Sequence, residues 1–111
     1  MQMITPSSFM NVFKPEGHIN ASNAAQLQQE LSDLVTSVHC DSLIVDMSEV
    51  ESLDSAGLMA LVATLNRAQQ LHKTFGICKV PPSIQIIFEL TQLDQAFNIF
   101  DQVPMAEASL N

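Results

Sequence analysis

The chain has 111 residues, enough for one compact domain and too few for two, because single domains cluster at about 100–150 residues. It is 47% hydrophobic and 14% charged, so it has enough apolar side chains for a core and is too apolar to be disordered. Four Lys and Arg stand against 12 Asp and Glu, a formal net charge of −8 that repels phosphate backbones and anionic lipids. We therefore expect neither nucleic-acid nor membrane binding.

The sequence carries no sign of export. Its N-terminal residues lack the basic and apolar regions of a signal peptide, and its longest apolar run is too short to span a bilayer. We therefore predict a cytoplasmic protein. In that reducing compartment, Cys40 and Cys78 are expected to be two small buried hydrophobic residues rather than a disulfide.

The first half of the chain predicts a strand, a helix and a second strand. Residues 8–14 are rich in aromatic and β-branched residues and precede the turn residues 15–17. The polar residues 20–23 offer several helix N-caps. Apolar side chains then recur at the spacing of an amphipathic helix, at Ala24, Leu27, Leu31, Leu34, Val35 and Val38. Residues 42–47 contain a continuous apolar run, typical of a strand buried on both faces at the centre of a sheet.

The second half predicts two more helices and two more strands. Residues 58–72 are predicted to form a helix, and residues 74–80 a strand that Pro81 and Pro82 end. Ser83 is expected to cap a third helix, and residues 97–100 are predicted to form a short last strand. The predicted core positions are Leu58, Leu61, Val62, Leu65 and Ala68 in the second helix, and Ile84, Ile87, Phe88 and Leu90 or Thr91 in the third. Strands that alternate with helices favour parallel crossovers. The predicted fold class is α/β, with a mostly parallel or mixed sheet against which the alternating helices pack.

Three kinds of catalytic or metal chemistry find little support. Residues 41–54 carry five carboxylates, but the acidic pair of a receiver domain is missing, and a loop separates Asp54 from the central strand, so a Mg²⁺-dependent aspartyl-phosphate site is not favoured. The histidines and cysteines share no zinc-ligand spacing. Ser55 lacks the Gly-x-Ser-x-Gly context of a hydrolase nucleophile. We therefore predict no catalytic residue, no metal and no cofactor.

Residues 53–58 (LDSAGL) stand between the acidic loop and the second helix. Asp54 and Ser55 both favour the N-cap position, and one of them is expected to accept hydrogen bonds from the first N–H groups of the helix. On a purely structural interpretation, they do nothing else. On a functional interpretation, an exposed hydroxyl at a helix N-terminus is a modification site, because a phosphate there would meet unpaired N–H donors and its charge would block a partner.

This motif, in its strand-loop-helix setting, resembles the STAS domain of bacterial anti-sigma factor antagonists. The resemblance extends over residues 9–101 and includes residues 16–20 (EGHIN), 43–47 (LIVDM), Pro82 and Ser83, and residues 88–93 (FELTQL). It implies a single STAS domain in residues 1–111, with short tails at both ends. Gln92 stands where the family often has Gly, and Ala56 stands where many relatives have Ser or Thr.

The resemblance implies a role in partner switching. In this family the antagonist binds an anti-sigma factor that is also a serine kinase, and a sigma factor is thereby displaced. Phosphorylation of the antagonist reverses the binding, and a serine phosphatase, which binds only transiently, restores it. The phosphoacceptor of the family maps onto Ser55 and the preceding aspartate onto Asp54. The kinase would supply the base, the nucleotide and Mg²⁺, so this chain would be its substrate and not an enzyme.

The resemblance also implies a partner-binding surface around the motif. Its expected members are Asp54, Ser55, Ala56, Gly57 and Met59, together with Asn20 and Ser22 of the loop at residues 17–22. Helical geometry supports Met59 and adds Ala63, Asn66 and Gln70, which point away from the core if the apolar stripe faces it. Partial burial of Met59 against a neighbouring helix is the alternative.

Two other functions stay open at this point. The chain could be a constitutive STAS scaffold or a subunit of a signalling or transport assembly, in which Ser55 is merely a cap. It could also be a small enzyme with turnover of its own, although the motifs above favour this least. A homodimer is compatible with each interpretation.

Overall fold

The computed structural model of the protein describes residues 10–104. In chain order its elements are β1 (Met10–Phe13), β2 (Gly17–Ile19), α1 (Ala24–Val35), β3 (Ser42–Asp46), β4 (Val50–Leu53), α2 (Ser55–Gln70), β5 (Thr74–Cys78), α3 (Pro82–Leu90), a short 3₁₀ helix (Leu93–Gln95) and β6 (Asn98–Phe100). Residues 8 and 9 of the predicted first strand, and the outer parts of both predicted tails, lie outside the described residues.

Four strands form the main sheet in the order β1-β3-β5-β6, and each neighbouring pair in it is parallel. Helices α1, α2 and α3 provide the crossovers between successive strands, as parallel pairing requires. The predicted α/β class is therefore confirmed. β3 lies inside the sheet and is buried from Leu43 to Asp46, which confirms the prediction of a central strand.

Strands β2 and β4 form a separate two-stranded parallel sheet, which the sequence analysis missed. β2 has only three residues, too few for a recognisable pattern. In β4 the exposed residues Glu51 and Ser52 are adjacent instead of alternating with apolar ones. The backbone N–H of Asp54 donates to the carbonyl oxygen of Ile19 at 3.1 Å, so this small sheet ties the end of β2 to the start of α2.

The core lies where α1 and α2 pack against each other and against the main sheet. Predicted core positions that are buried are Ala24, Leu27, Leu31, Val35, Leu58, Leu61, Leu65, Ala68, Ile84 and Phe88, while Leu34, Val62 and Ile87 are half-buried. The rings of Phe88 and Phe97 pack edge to face with centroids 5.5 Å apart. The polar side chain of Thr64 is also buried, and its hydroxyl donates to the carbonyl oxygen of Ala60 at 2.9 Å.

Two positions predicted to be in the core are exposed. α1 ends at Val35, so Val38, at 82% exposure, lies beyond the helix. Nζ of Lys73 donates to the carbonyl oxygens of Val35 at 2.7 Å and Ser37 at 2.8 Å, which satisfies carbonyl groups where the helix ends. Leu90, the last residue of α3, is 79% exposed, and Thr91, the alternative to it, is exposed as well.

Two helices begin earlier than predicted. α2 starts at Ser55 rather than at residue 58, and α3 starts at Pro82 with Pro81 in the N-cap position. Ser83 therefore lies inside the first turn of α3, and the prediction that it caps the helix is wrong. A proline suits the first helical position because its backbone has no N–H to leave unpaired and its φ is already near the helical value.

Candidate functional site

The start of α2 is organised by Asp54. Its Oδ1 accepts a hydrogen bond from the N–H of Gly57 at 3.1 Å, and its carbonyl oxygen accepts one from the N–H of Leu58 at 2.9 Å. Its backbone is extended, with φ −97° and ψ −175°, as is usual for the residue just before a helix. Of the two predicted candidates, Asp54 is therefore the cap.

Ser55 is the first residue of α2, and its side chain is exposed. Within residues 10–104 its hydroxyl makes no hydrogen bond, and the N–H groups of Ser55 and Ala56 have no acceptor. A phosphate on Oγ would meet these donors at the positive end of the helix dipole. The site can therefore carry an anion without breaking a contact of the fold.

Gly57 brings α2 close to the small sheet. It is buried, and a Cβ at this position would lie 2.5 Å from Cγ2 of Ile19 and 2.7 Å from Cδ1 of Leu53. Both distances are far shorter than the about 3.5–4.0 Å at which carbon atoms pack, so glycine allows the helix its close approach. Gly57 thus lies beneath the predicted surface and supports it from below, whereas Ala56 is half-buried at its edge.

The turn between β2 and α1 lies beside the start of α2 because β2 and β4 are paired. Oδ1 of Asn20 accepts hydrogen bonds from the backbone N–H of Ser22 at 3.0 Å and from its hydroxyl at 2.6 Å. The N–H of Asn20 donates to Oδ1 of Asn23 at 2.9 Å. The turn is thus held in one shape, with Ser22 exposed and Asn20 half-buried. It directly follows Ile19, whose carbonyl oxygen accepts the N–H of Asp54.

Further along α2, a row of side chains faces solvent. Met59, one turn after Ser55, is 60% exposed, so most of its side chain faces solvent while the rest is covered. Asn66 and Gln70 are exposed and Ala63 is half-buried, so the predicted outward face is present. A large, adaptable apolar side chain exposed beside polar ones is suited to contact with another protein.

The small sheet adds exposed side chains that the sequence analysis missed. Nδ1 of His18 lies 2.7 Å from Oγ of Ser52, and Nε2 of His18 lies 3.8 Å from Oε1 of Glu51. β4 leads directly into Asp54, so these side chains border the start of α2. Only the pairing of β2 with β4 brings them together, and β2 is too short to be predicted.

Asp46 is a buried carboxylate at the end of β3. Its Oδ1 accepts the N–H of Ser48 at 2.9 Å, and Nζ of Lys79 lies 3.8 Å from Oδ2. Burial by itself would raise the pKa of Asp46, but the hydrogen bonds from Ser48 and the charges of Lys79 and Lys14 outweigh it and hold the pKa below its ordinary value. These contacts make Asp46 an ionised anchor for the loop after β3.

Cys40 and Cys78 are buried and free, in agreement with the prediction. Burial and the nearby carboxylate of Asp46 raise the pKa of the Cys78 thiol despite the charge of Lys79, so the thiol is neutral near pH 7. In the part of the chain that the structure describes, no group of three or more His, Cys, Asp and Glu is placed to hold a metal ion. No helix in that same part is long and apolar enough to cross a membrane.

A family model for the STAS domain matches residues 2–106, and the chain therefore belongs to the STAS domain family. The protein BtrV of Bordetella bronchiseptica, named as a candidate anti-sigma factor antagonist, is 23% identical to it over 94 residues. That alignment covers 85% of this chain and 80% of BtrV.

Solved structures agree with this family. The crystal structure of an anti-sigma factor antagonist from Mycobacterium paratuberculosis is 28% identical, with a TM-score of 0.77, and the match covers 88% of this chain and 82% of that one. The crystal structure of a candidate anti-sigma factor antagonist from Thermotoga maritima is 23% identical, with a TM-score of 0.78, over 89% and 83% of the two chains. The predicted STAS fold is therefore confirmed.

Proposed function

We propose that this chain is a cytoplasmic anti-sigma factor antagonist whose binding is controlled by phosphorylation of Ser55. Unphosphorylated, it binds an anti-sigma factor that is also a serine kinase. Phosphorylated, it is released, and a serine phosphatase returns it to the binding form. The observation that carries the proposal is the exposed Ser55 hydroxyl, which is free because Asp54 caps α2.

The side chains around Ser55 support a partner surface rather than a catalytic pocket. Met59 is 60% exposed one helical turn away, and the turn containing Asn20 and Ser22 borders the start of α2. Asp54 keeps the helix N-terminus ordered, so Ser55 is presented in one position. A kinase seated on this surface would therefore find the hydroxyl both accessible and fixed.

In the phosphoryl transfer itself, this chain contributes only the Ser55 hydroxyl. A bond forms between Oγ and the γ-phosphorus of ATP as the bond from that phosphorus to the leaving oxygen of ADP breaks, and the hydroxyl proton passes to a base of the kinase. The product carries about −1.5 to −2 additional charges on Ser55. On a chain whose formal net charge is already −8, this charge and the bulk of the phosphate disfavour the surface that the kinase had recognised.

The modification is tested by mass-spectrometric site mapping of the protein purified from its own cells, before and after phosphatase treatment. We expect a phosphate on Ser55 that the phosphatase removes. A protein that carries no phosphate at Ser55 under any growth condition in which it is made would contradict the proposal.

The switch is tested by the binding of purified variants to an anti-sigma factor kinase from the same cells. Ser55→Ala should bind and resist release by ATP, whereas Ser55→Asp should lose binding. Ser83→Asp is the matched control, because Ser83 is exposed in the first turn of α3 and the variant adds the same charge at another helix start. If Ser55→Asp bound as tightly as this control, the chain would be a constitutive scaffold instead.

A further inference from the structure

A groove of about 160 Å³ runs between α1 and α2, away from the small sheet. It is lined by Gln28 and Ser32 of α1 and by Ala63, Thr64 and Arg67 of α2. The hydroxyl of Thr64 is buried and donates to the carbonyl oxygen of Ala60, so it belongs to the floor. Ala63, with its small side chain, leaves the space open.

The side chains of Gln28, Ser32 and Arg67 in this groove can each donate hydrogen bonds, and residues 10–104 supply few acceptors for them. Within the described residues, the side chains of Gln28 and Ser32 make no hydrogen bond, and the Arg67 guanidinium makes one, from Nη1 to Oε1 of Gln70 at 3.3 Å. The ion pairs formed among residues 10–104 do not include Arg67. None of the lining residues is acidic, in a chain with 12 Asp and Glu.

A carboxylate complements this set of groups. Guanidinium groups bind carboxylates with two parallel hydrogen bonds, and an amide N–H or a hydroxyl can donate to the remaining lone pairs. Arg67 is the chain's single arginine, and it lies on the same helix as Ser55. Their separation of 12 positions corresponds to about 18 Å along the helix axis, a distance that one protein interface of standard size covers.

We propose that the groove between α1 and α2 binds a carboxylate side chain, Asp or Glu, of the partner protein that contacts Ser55. This inference rests on the proposed function for the identity of the partner, while the groove's preference for a carboxylate is a property of this chain alone. The groove joins the outward face of α2 at Ala63, so a partner seated on Ser55 and Met59 can reach Arg67 without a second interface. Arg67 then binds the partner's carboxylate at the end of the surface that lies away from the phosphorylation site at Ser55.

The preference is tested without the partner, by ¹⁵N–¹H NMR titration of the full chain with two probes. The glutamate probe is N-acetyl-L-glutamate N-methylamide, whose single charge is the side-chain carboxylate, and its neutral analogue is N-acetyl-L-glutamine N-methylamide. Only the carboxylate is expected to shift the signals of Gln28, Ser32, Ala63 and Arg67. Arg67→Gln should weaken this binding by about 10-fold or more, as expected for loss of a charged hydrogen-bond partner. Lys14→Gln removes the same charge from an exposed residue outside the groove and should have no effect.

Each other outcome overturns the proposal. Equal shifts with both probes, no shift at these residues, or unchanged binding in Arg67→Gln would show that the groove does not select a carboxylate. Tighter binding of inorganic phosphate than of the glutamate probe would make the groove a phosphate site. Ser55→Asp should bind the probe like the unmodified chain, so a failed phospho-switch and a failed carboxylate site give different results.

In the complex, we expect Arg67→Gln to weaken kinase binding by about 10-fold. Ser55 should remain the residue that the kinase phosphorylates. Kinase binding that is unchanged in Arg67→Gln would contradict the assignment of the carboxylate to that partner, even if the glutamate probe binds.

Discussion

Oδ1 of Asp54 accepts the backbone N–H of Gly57 at 3.1 Å, and this one hydrogen bond decides what the neighbouring serine is free to do. An aspartate in the N-cap position accepts a hydrogen bond from a helix N–H, so the Ser55 hydroxyl is not needed as the cap. The hydroxyl of Ser55 therefore makes no capping hydrogen bond, and it lies at the positive, N-terminal end of the helix. Asp54 therefore provides the cap, and the adjacent Ser55 hydroxyl stays exposed, as the proposed phosphorylation requires.

Removing the cap should destabilise the protein without unfolding it. Asp54→Ala is expected to lower the free energy of unfolding by about 0.5–2 kcal/mol, because a helix N–H loses its acceptor. Asp54→Asn, whose amide oxygen can accept the same hydrogen bond, is the control and should lose much less. Urea denaturation followed by circular dichroism measures both, and equal losses in the two variants would mean that the hydrogen bond to Gly57 contributes little.

A negative charge at Ser55 should leave the fold intact. In Ser55→Asp the new carboxylate lies in the first turn of α2, where it interacts favourably with the helix dipole, typically by about 0.3–1 kcal/mol. We therefore expect a free energy of unfolding equal to or slightly above that of the unmodified chain, although partner binding is lost. A marked fall in stability would mean that any loss of binding by this variant reflects unfolding and not a switch.

The close approach at Gly57 should tolerate no side chain. Gly57→Ala would place a Cβ 2.5 Å from Cγ2 of Ile19, and we expect the variant to lose about 1–3 kcal/mol of stability through overpacking. The sign is diagnostic, because alanine in a helix without this contact is more stable than glycine by up to about 1 kcal/mol. A variant that is more stable in urea would show that α2 can move away from the small sheet at no cost.

Much of the fold can be predicted from the sequence because its helices carry apolar stripes and β3 carries a continuous apolar run. The end of a helix is harder to predict when a residue distant in the sequence stabilises it. The carbonyl oxygen of Val35 at the end of α1 accepts from Lys73, which is 38 residues further along the chain, so nothing near Val38 signals that the helix has stopped. The prediction misses β2 for a different reason, because three residues are too few to carry a pattern.

The motif predicts where the candidate site lies, but it does not predict which of its residues is the helix cap. Asp and Ser are both strong N-cap residues, and only the geometry of the loop decides that Asp54 turns towards Gly57. The burial of Gly57 likewise depends on Ile19, a residue of the strand that the sequence did not reveal. Local signals identify which residues matter, while tertiary contacts decide which of them remain on the surface.

The acid stability of the fold should depend on Asp46. Its pKa in the folded chain lies below the value of 3.8 expected when the chain is unfolded, so the unfolded chain binds this proton more readily. The stability that Asp46 contributes is therefore fully present above about pH 4 and is lost as the pH falls through its lowered pKa.

Asp46→Asn should consequently be less stable near pH 7 and should lose less further stability than the unmodified chain when the pH falls. Asp41→Asn, the same substitution at an exposed carboxylate, is the control and should follow the unmodified chain. Urea midpoints measured from neutral to acidic pH give the comparison, and parallel curves for Asp46→Asn and the unmodified chain would contradict the role of Asp46 as an ionised anchor.

Gln92 is the residue whose replacement should stabilise the protein. It follows α3 in left-handed backbone geometry, with φ +61° and ψ 16°, which costs a residue with a Cβ about 1–2 kcal/mol. Glycine adopts this geometry freely but has more conformational entropy to lose on folding, so Gln92→Gly should gain up to about 1 kcal/mol net. Ala96→Gly is the control, because Ala96 has right-handed geometry at φ −92° and should lose about 0.5–1 kcal/mol instead. Opposite shifts of the urea midpoint in the two variants are the expected result, and a fall in both would show that the Gln92 side chain contributes more than its backbone costs.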